Sequence, residues 1–524
     1  MISDFEQFDC GELESDVVVV GAGAVGLAVA ICLYRAGKSV VLLEAGGESV
    51  EERSQAFLRN AISTGRPFAG LETGRFSSLG GTTTAWGGQL VPFDPIVFEH
   101  RPWVSSAKWP ISADSLAYYY QEAAALINAK DPLVPSASLW SKLGIPIVDW
   151  SEEIEPLLTQ WLRQPNFGTL FFPELSAKAG PRIVLHARVT EIDASPDGTI
   201  NSLAFVNQAG KVGLASASCF VLATGTVETI RLLKTRLSRG RFATWSENNL
   251  LGSYFTDHID AFVGRVRPLD KARFHDVFDS AILDNVKYFP RLKLSALSQR
   301  TNHMVGVAGH MIFDSLLEDH LQNFKAFAKA ILHGRWPKDA MSAPFHVWQL
   351  GRVMFPLVTR YVRSNRILSL SDRGIRLRLT CEQIPIRESC VTIGDRLDAN
   401  GIPLVQLNWA LDGRELESMA FLAKAIRNQL WKQGLAEVEI DDRLAKGEAT
   451  FLDTADDAYH QMGGVRMGFT PEEGVVDANL RVHGSTNLYV AGAATFPTTG
   501  FENPTLTAIS LGIRLGEHLT RSVL

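Results

Sequence analysis

Between Asp16 and Glu44 the chain spells a unit that very few folds accommodate. Asp16-Val-Val-Val-Val20 is a short β-branched run that ends in glycine, the look of a buried parallel strand running into a tight turn. The turn itself is Gly21-x-Gly23-x-x-Gly26. After it, Leu27 to Ala36 has helical composition, Gly37 fits a helix stop, and Ser39 to Leu43 is a second apolar strand, so the segment predicts a complete βαβ unit. Each glycine answers a separate need. Gly21 makes the turn, Gly23 lets bare backbone approach a pyrophosphate, and Gly26 lets the helix pack closely on the strand. Glu44 closes the second strand about twenty residues on, where a carboxylate accepts both ribose hydroxyl hydrogens. The same carboxylate would repel the 2′-phosphate of NADP. The motif predicts a bound dinucleotide and leaves NAD and FAD both open.

One such unit occupies a small part of a 524-residue chain. Because a single core stops growing at roughly 250–300 residues, two or more domains are expected. A net charge of -6, with Lys and Arg scattered, gives no basic stripe for a duplex and argues against a nucleic-acid partner. Cys10, Cys32, Cys219, Cys381 and Cys390 lack the paired spacing of a metal site and read as reduced thiols of a cytoplasmic protein, with Cys32 and Cys219 as core fillers. The first residues are acidic where a secretory signal is basic, and no run approaches the ~18 apolar residues of a transmembrane segment.

Two more segments look toward the same ligand. Ser78-Leu-Gly-Gly-Thr-Thr-Thr-Ala-Trp-Gly-Gly88 is too rich in φ-permissive residues for a strand or helix. It reads as a shaped loop that lays Gly81, Thr82, Trp86, Gly87 and Gly88 against a flat ligand such as an isoalloxazine ring. Farther on, Arg182 to Ile192 and Ser218 to Thr229 flank an Asp197-Gly198 turn in a polar strand pair. The apolar strand Phe220 to Ala223 ends at Thr224-Gly225 before a helix through Thr229 to Lys234, a second βα turn of the kind that underlies a dinucleotide. Val189, Ala223 and Gly225 are therefore expected against the cofactor, and the second turn favours FAD over NAD.

Toward the C-terminus come Tyr459-His-Gln-Met-Gly-Gly-Val-Arg-Met-Gly468, Gly474 to Gly484, Asn487-Leu-Tyr-Val-Ala-Gly-Ala-Ala-Thr-Phe-Pro-Thr498 and Glu502-Asn-Pro-Thr505. In this order, with the first glycine unit and Gly80-Gly81, the blocks resemble the glucose-methanol-choline (GMC) oxidoreductase family. The resemblance implies an FAD enzyme that oxidises an alcohol to a carbonyl, with His460 as the base that takes the hydroxyl proton and Asn503 as its partner on the substrate oxygen. An imidazole suits that work near neutral pH. Gly492, Ala493, Pro504 and Thr505 would face the cofactor, Gly492 through its backbone because family members often have Asp there. Ala85 stands where members that tether FAD covalently have a histidine, which implies non-covalent FAD. Thr82 to Gly88 and Trp109-Pro-Ile-Ser112 are most similar to the branch of pyranose oxidases, bacterial fructose and gluconate dehydrogenases and aminoglycoside-modifying dehydrogenases, and imply a sugar, aminosugar or related polyol. His258, in Phe255-Thr-Asp-His-Ile259, matches another block, with a structural and a functional role both open. His483 falls in a polar turn and reads as structural.

The reading that follows is an α/β protein, α+β overall: a Rossmann-like FAD-binding domain of residues 1–110, 180–258 and 455–524, and a substrate-binding domain of antiparallel sheet and helices from 111–179 and 259–454. The latter draws on the strand-like stretches Gly374 to Ile384, Ser389 to Ile393 and Pro403 to Trp409, read as one sheet, and on an amphipathic helix Arg414 to Trp431. Glu382 and Gln383 are candidates for substrate contact. The stretch 316–366 fits a core-packed helical insert, a lid over the substrate, or an amphipathic membrane-surface or partner-docking helix. The electron acceptor is oxygen or another redox partner. Two other activities stay open: a lyase with structural FAD, and a flavin subunit of a multi-component dehydrogenase.

Overall fold

A computed structural model describes residues 1–7, 12–59, 61–130, 137–235, 244–316 and 357–524. Cys10 and most of the 316–366 stretch lie outside the described residues.

Strand Glu12–Val20 runs between Val40–Leu43 and Val212–Leu222, parallel to both. Val17, Val18, Val19 and Val20 are all buried, as a strand covered on both faces requires. Arg182–Leu185 and Ile2–Asp4 extend the sheet in parallel beyond Val40–Leu43, and Leu488–Val490 adds a parallel strand to Val212–Leu222. The pair Ile200–Val206 and Arg188–Ala194 hangs antiparallel from the same strand. Helix Ala24–Arg35 begins directly after the glycine turn. Against it packs helix Thr505–Ser522, which can come close because Gly512 and Gly516 carry no side chain: a Cβ on Gly512 would meet Val25 Cγ1 at 2.9 Å, and one on Gly516 would meet Cys32 Cβ at 3.2 Å. That contact places Pro504 and Thr505 beside the glycine turn although they are almost five hundred residues away in sequence. Burial pushes the thiols of Cys32 and Cys219 up to about 11, which fits both as packing groups rather than nucleophiles.

The second sheet is antiparallel, in the order Ala436–Ile440, His258–Pro268, Gly374–Glu382, Val307–Asp314, Val286–Leu294, Ile154–Trp161 and Gln89–Leu90. One face is dry: helix Glu415–Lys432 lays Leu416, Met419, Ala423, Ile426 and Leu430 into the core formed with Val307, Leu377 and Leu379, and Gly434 stops it at φ +64. The other face carries His258, Asp260, Arg378, His310 and Arg291. The stretches expected to form one sheet divide between two. Gly374–Glu382 joins the large sheet, whereas Cys390–Leu397 and Pro403–Asn408 pair with Ala61–Ser63 in a separate three-stranded sheet. The break falls at Pro385, which has no N–H to give a continuing ladder. No described helix is long and apolar enough to cross a membrane.

Among the tightest backbone junctions in this architecture is Gly26, where a Cβ would sit 1.9 Å from the Gly21 carbonyl oxygen and 3.2 Å from Ala223 Cβ. Gly26→Ala is expected to destabilise the protein by about 1–3 kcal/mol, the scale of overpacking, and to lower its flavin content. Thermal unfolding and the absorbance of purified protein test this, and an unchanged Tm with full flavin would contradict it.

Candidate active site

A cavity of about 520 Å³ runs along the carboxyl ends of the parallel strands. Three helix N-termini open onto it, at Gly23 to Val25, Gly225 to Val227 and Pro504 to Thr505, each offering free N–H groups and the positive end of a helix dipole. Bare backbone faces the same space. A Cβ on Gly23, Gly225 or Gly492 would find nothing within 4 Å, and φ is +75 at Gly225 and +140 at Gly492. A long, narrow cleft walled by glycine backbone and helix N-termini is what a dinucleotide diphosphate needs, so the residues present fit FAD.

Glu44 lines this cleft, but its carboxylate is already engaged. Oε2 accepts from Ala22 N at 2.8 Å, while Oε1 accepts from Gly46 N at 2.9 Å and Ser77 Oγ at 3.0 Å. It therefore braces the glycine turn in addition to any contact with a ribose. The Gly80-Gly81 loop is pinned to that turn by Gly80 N donating to Ala22 O at 2.9 Å. Trp86 is fixed from behind, its Nε1 donating to Pro165 O at 2.7 Å and its ring edge-on to Phe167. Gly81, Thr82, Ala85, Trp86, Val189, Ala223 and Ala493 all line the cleft. Gly87 and Gly88 do not. Their missing side chains make room for Trp161, whose ring would be 2.4 Å from a Cβ on Gly87, and for Pro165, 2.9 Å from one on Gly88. Gly26 lies one layer behind the wall, where it seats the helix.

A charged cluster on the far wall was invisible in the sequence. Arg75 Nη1 and Arg231 Nε hold the two oxygens of Glu228 at 3.0 and 2.7 Å, and Arg188 pairs with Asp398 at 2.7 Å. Burial works against the charge of Glu228, yet Arg231, Arg75 and Arg188 bring it down to about 2. Three arginines against two acids leave this wall positive. Only the Glu228-x-x-Arg231 spacing on one helix was a local hint.

At the other end stands His460, between two partners. Asn503 Nδ2 donates to its Nε2 at 3.1 Å, and its Nδ1 lies 2.9 Å from Nδ1 of His258. His258 is fully buried, and burial followed by the neighbouring His460 keeps its pKa well below the ordinary imidazole range. Its Nε2 is buried without a hydrogen-bond partner. Because the Asn503 amide donates to Nε2 of His460, that nitrogen holds the lone pair, the proton sits on Nδ1, and Nδ1 of a neutral His258 accepts it. Burial, then the charge of Arg291, lowers the His460 pKa to about 4, so the ring is neutral at pH 7.

The loop that carries His460 is clamped by a group the sequence reading passed over. Asp257 Oδ1 accepts from the backbone N–H groups of His258 at 2.6 Å, His460 at 3.0 Å and Ala458 at 3.2 Å. Glu382 and Gln383 serve the framework instead of the cleft. Glu382 forms a two-point ion pair with the Arg101 guanidinium at 2.7 and 2.8 Å, and Gln383 Oε1 accepts from Asp257 N and Trp409 Nε1, both at 2.9 Å. His483 Nε2 lies 3.3 Å from the Gly468 carbonyl, away from the cleft.

Residues 385–512 match the GMC oxidoreductase family, in its C-terminal domain, and residues 16–243 match the FAD dependent oxidoreductase family. The chain is 22% identical to a 2-methyl-1,2-propanediol dehydrogenase of Mycolicibacterium austroafricanum over 97% of this chain and 95% of that protein. To the fructose dehydrogenase large subunit of Gluconobacter japonicus it is 21% identical over 97% and 98%. A paromamine 6'-oxidase of Streptomyces fradiae is 29% identical over a shorter stretch, 27% of this chain and 24% of that one. Among solved structures, pyridoxine 4-oxidase from Mesorbium loti superposes with a TM-score of 0.59 at 16% identity, covering 96% of this chain and 98% of that one. A formate oxidase of Aspergillus oryzae RIB40 gives 0.57 at 18%, covering 97% and 98%.

Burial and the neighbouring Asp457 push Asp257 well above the carboxylate range, which makes asparagine its near equivalent. Asp257→Ala strands three backbone N–H groups, one buried and two partly buried, and is expected to cost at least about 2 kcal/mol, whereas Asp257→Asn stays within about 1 kcal/mol of wild type. Denaturant unfolding of both variants checks this, and equal midpoints would refute the clamp.

Proposed function

We propose that this chain, an FAD-dependent oxidoreductase carrying the GMC oxidoreductase C-terminal domain, oxidises the alcohol group of a sugar, aminosugar or related polyol to a carbonyl, with His460 as general base. The observation that carries the reading is the Asn503–His460–His258 chain at the end of the cleft, which holds His460 as a neutral imidazole whose Nε2 lone pair is kept by the Asn503 amide until a substrate hydroxyl takes its place. Support for an alcohol substrate comes from the relatives, whose names include a diol dehydrogenase, a fructose dehydrogenase and aminoglycoside oxidases.

FAD, when bound, supplies the two-electron acceptor for hydride from the carbinol carbon. The protein's task is the proton. Nε2 of His460 takes the hydroxyl hydrogen as the C–H bond breaks, since hydride leaves an alkoxide far more readily than an alcohol. Asn503 then turns its amide N–H to the substrate oxygen and holds the developing charge. The resulting imidazolium stays fully bonded, because His460 Nδ1–H already donates to His258. His258 is thus a positioning residue: with the opposite tautomer, His460 would show the substrate an N–H and could not act as a base. Residues 1–110, 180–258 and 455–524 are proposed to hold the cofactor, and 111–179 with 259–454 to cover the substrate. Ala85 at the cleft wall offers no nucleophile for a covalent link, so FAD is held by contacts alone.

His460→Ala should keep its FAD and lose about 10²–10⁴-fold in the rate at which an alcohol bleaches the flavin without oxygen. Retention of the wild-type rate would move the base elsewhere. For the wild type, the base form prevails above its pKa, so that rate should be flat through neutral pH and fall only as pH approaches about 4. An acid limb near about 6.5, the value of an ordinary imidazole, would contradict the buried site. His258→Leu removes the acceptor and should slow reduction roughly tenfold to a hundredfold. His258→Asn, whose carbonyl oxygen takes the place of Nδ1, should restore most of the rate; equal losses in both variants would refute the tautomer role.

A further inference from the structure

Among the described residues, six arginines are buried to nine-tenths or more: Arg101, Arg188, Arg231, Arg291, Arg366 and Arg466. Five of them are answered. Arg101, Arg188 and Arg231 each hold a carboxylate. Arg366 donates to three backbone carbonyls, and Arg466 donates to the Glu473 carbonyl and lies over the Tyr254 ring. Arg291 has one hydrogen-bond partner, Gln89 Oε1, to which Nη2 donates at 3.1 Å; its Nε is buried without any, as are Nε of Arg101, Arg188 and Arg366, and what sets it apart is that its one partner is a neutral amide.

The acids around it are occupied or uncharged. Asp260 is held by Arg378 Nη2 at 2.5 Å and by Thr380 Oγ1 at 2.6 Å. Burial, then the nearby Asp94, raises Glu502 to about 8, so it is mostly neutral at pH 7. Lys293, two residues along the strand, is taken by Asp94 and Glu155. Arg378 and Asp260 cancel, and Asp94 with Glu155 more than balances Lys293, so what distinguishes Arg291 among the described residues is a guanidinium whose one hydrogen-bond partner is a neutral amide, not a net positive charge. Beside it His310, buried and edge-on to Phe289 at 5.6 Å, has an Nδ1 with no partner.

The register of the large sheet puts this guanidinium on the same face as the histidine that meets His460. Arg291, His310, Arg378 and Asp260 stand on adjacent strands, and His258, which meets His460, is two residues from Asp260 on the same face. On the opposite side, Gln89 directly follows the glycine loop whose Trp86 lines the cleft. The guanidinium thus lies on the face of the sheet that carries His258, hydrogen-bonded to the residue that directly follows the cleft-lining loop.

A buried charge without a counterion costs stability, and an apolar residue of the same size would relieve that cost. A ligand that brings the missing anion explains its presence. We propose that Arg291, with His310 beside it, is a carboxylate subsite, and that the alcohol oxidised at His460 belongs to a hydroxy acid or sugar acid. A planar guanidinium matches a carboxylate in shape, and the acids already gathered nearby, Asp260, Asp94 and Glu155, disfavour a more highly charged phosphate ester. The inference rests on the reading of His460 as the centre of alcohol oxidation.

The test uses FAD-loaded enzyme without oxygen and matched compounds: glucuronate against glucose, glycerate against glycerol, and glucose 6-phosphate. The acid of each pair should half-saturate flavin bleaching at a concentration lower by about tenfold or more, as expected for a charge-assisted hydrogen bond. Arg291→Gln should erase that preference and Arg291→Lys keep part of it. Titration of the oxidised flavin spectrum with the carboxylates reads the subsite even if no compound is turned over. Failure of every alcohol to bleach the flavin would overturn the oxidation reading, while this titration still decides on the subsite. Without ligand, Arg291→Gln should unfold at the wild-type temperature or higher, since an unpaired charge is gone. Equal affinity within the pairs, a preference that survives Arg291→Gln, tighter binding of the phosphate, or a lower Tm with proportional loss of all compounds would each overturn the proposal.

Discussion

The Gly26 backbone presses on the carbonyl of Gly21 so closely that a single methyl group would have no room. This contact lets helix Ala24–Arg35 start at the very end of its strand and point its free N–H groups into the cleft. Helix Thr505–Ser522 then packs on the first helix through Gly512 and Gly516, which brings Pro504 and Thr505, and just ahead of them Asn503, to the same place. The segment that carries Asn503 and the helix N-termini at the glycine turn are therefore positioned by one chain of close backbone approaches. Close packing of this kind is stiff, as a site that aligns a hydride donor with a bound ring requires.

On that frame the chemistry is set by burial and by hydrogen-bond direction. His460 alone would be an ordinary imidazole. Burial beside Arg291 makes it neutral over the working pH range, and His258 decides which nitrogen holds the lone pair. Asp257 fixes the backbone of both histidines with one oxygen atom, so two rings from distant segments keep their separation. A weaker base follows from a lowered pKa, and in the proposed reaction Asn503 on the substrate oxygen would offset that by stabilising the alkoxide.

Much of this was legible in the sequence, and the boundary is physical. The glycine unit, the Gly80-Gly81 loop, His460 and Asn503 sit in short local patterns whose spacing reflects turns and helix starts. The three-stranded sheet could not be read that way, because Pro385 diverts the chain and Ala61–Ser63 arrives from three hundred residues away. Gly87 and Gly88 were assigned to the ligand because glycine marks close approach without naming what approaches; here it is Trp161 and Pro165. Arg75, Glu228, Asp257 and Arg291 gain meaning only from partners on other strands. A buried charge looks like any surface charge until its surroundings are known.

The claim at the centre is that one imidazole removes a hydroxyl proton while the carbinol carbon loses hydride. Deuterium at that carbon tests it most directly. Under anaerobic conditions, flavin reduction by the deuterated alcohol should be several-fold slower than by the protiated one, and His460→Ala should abolish both. Consumption of the alcohol with the flavin still oxidised, or equal rates for the two isotopes when reduction itself is rate-limiting, would contradict the account.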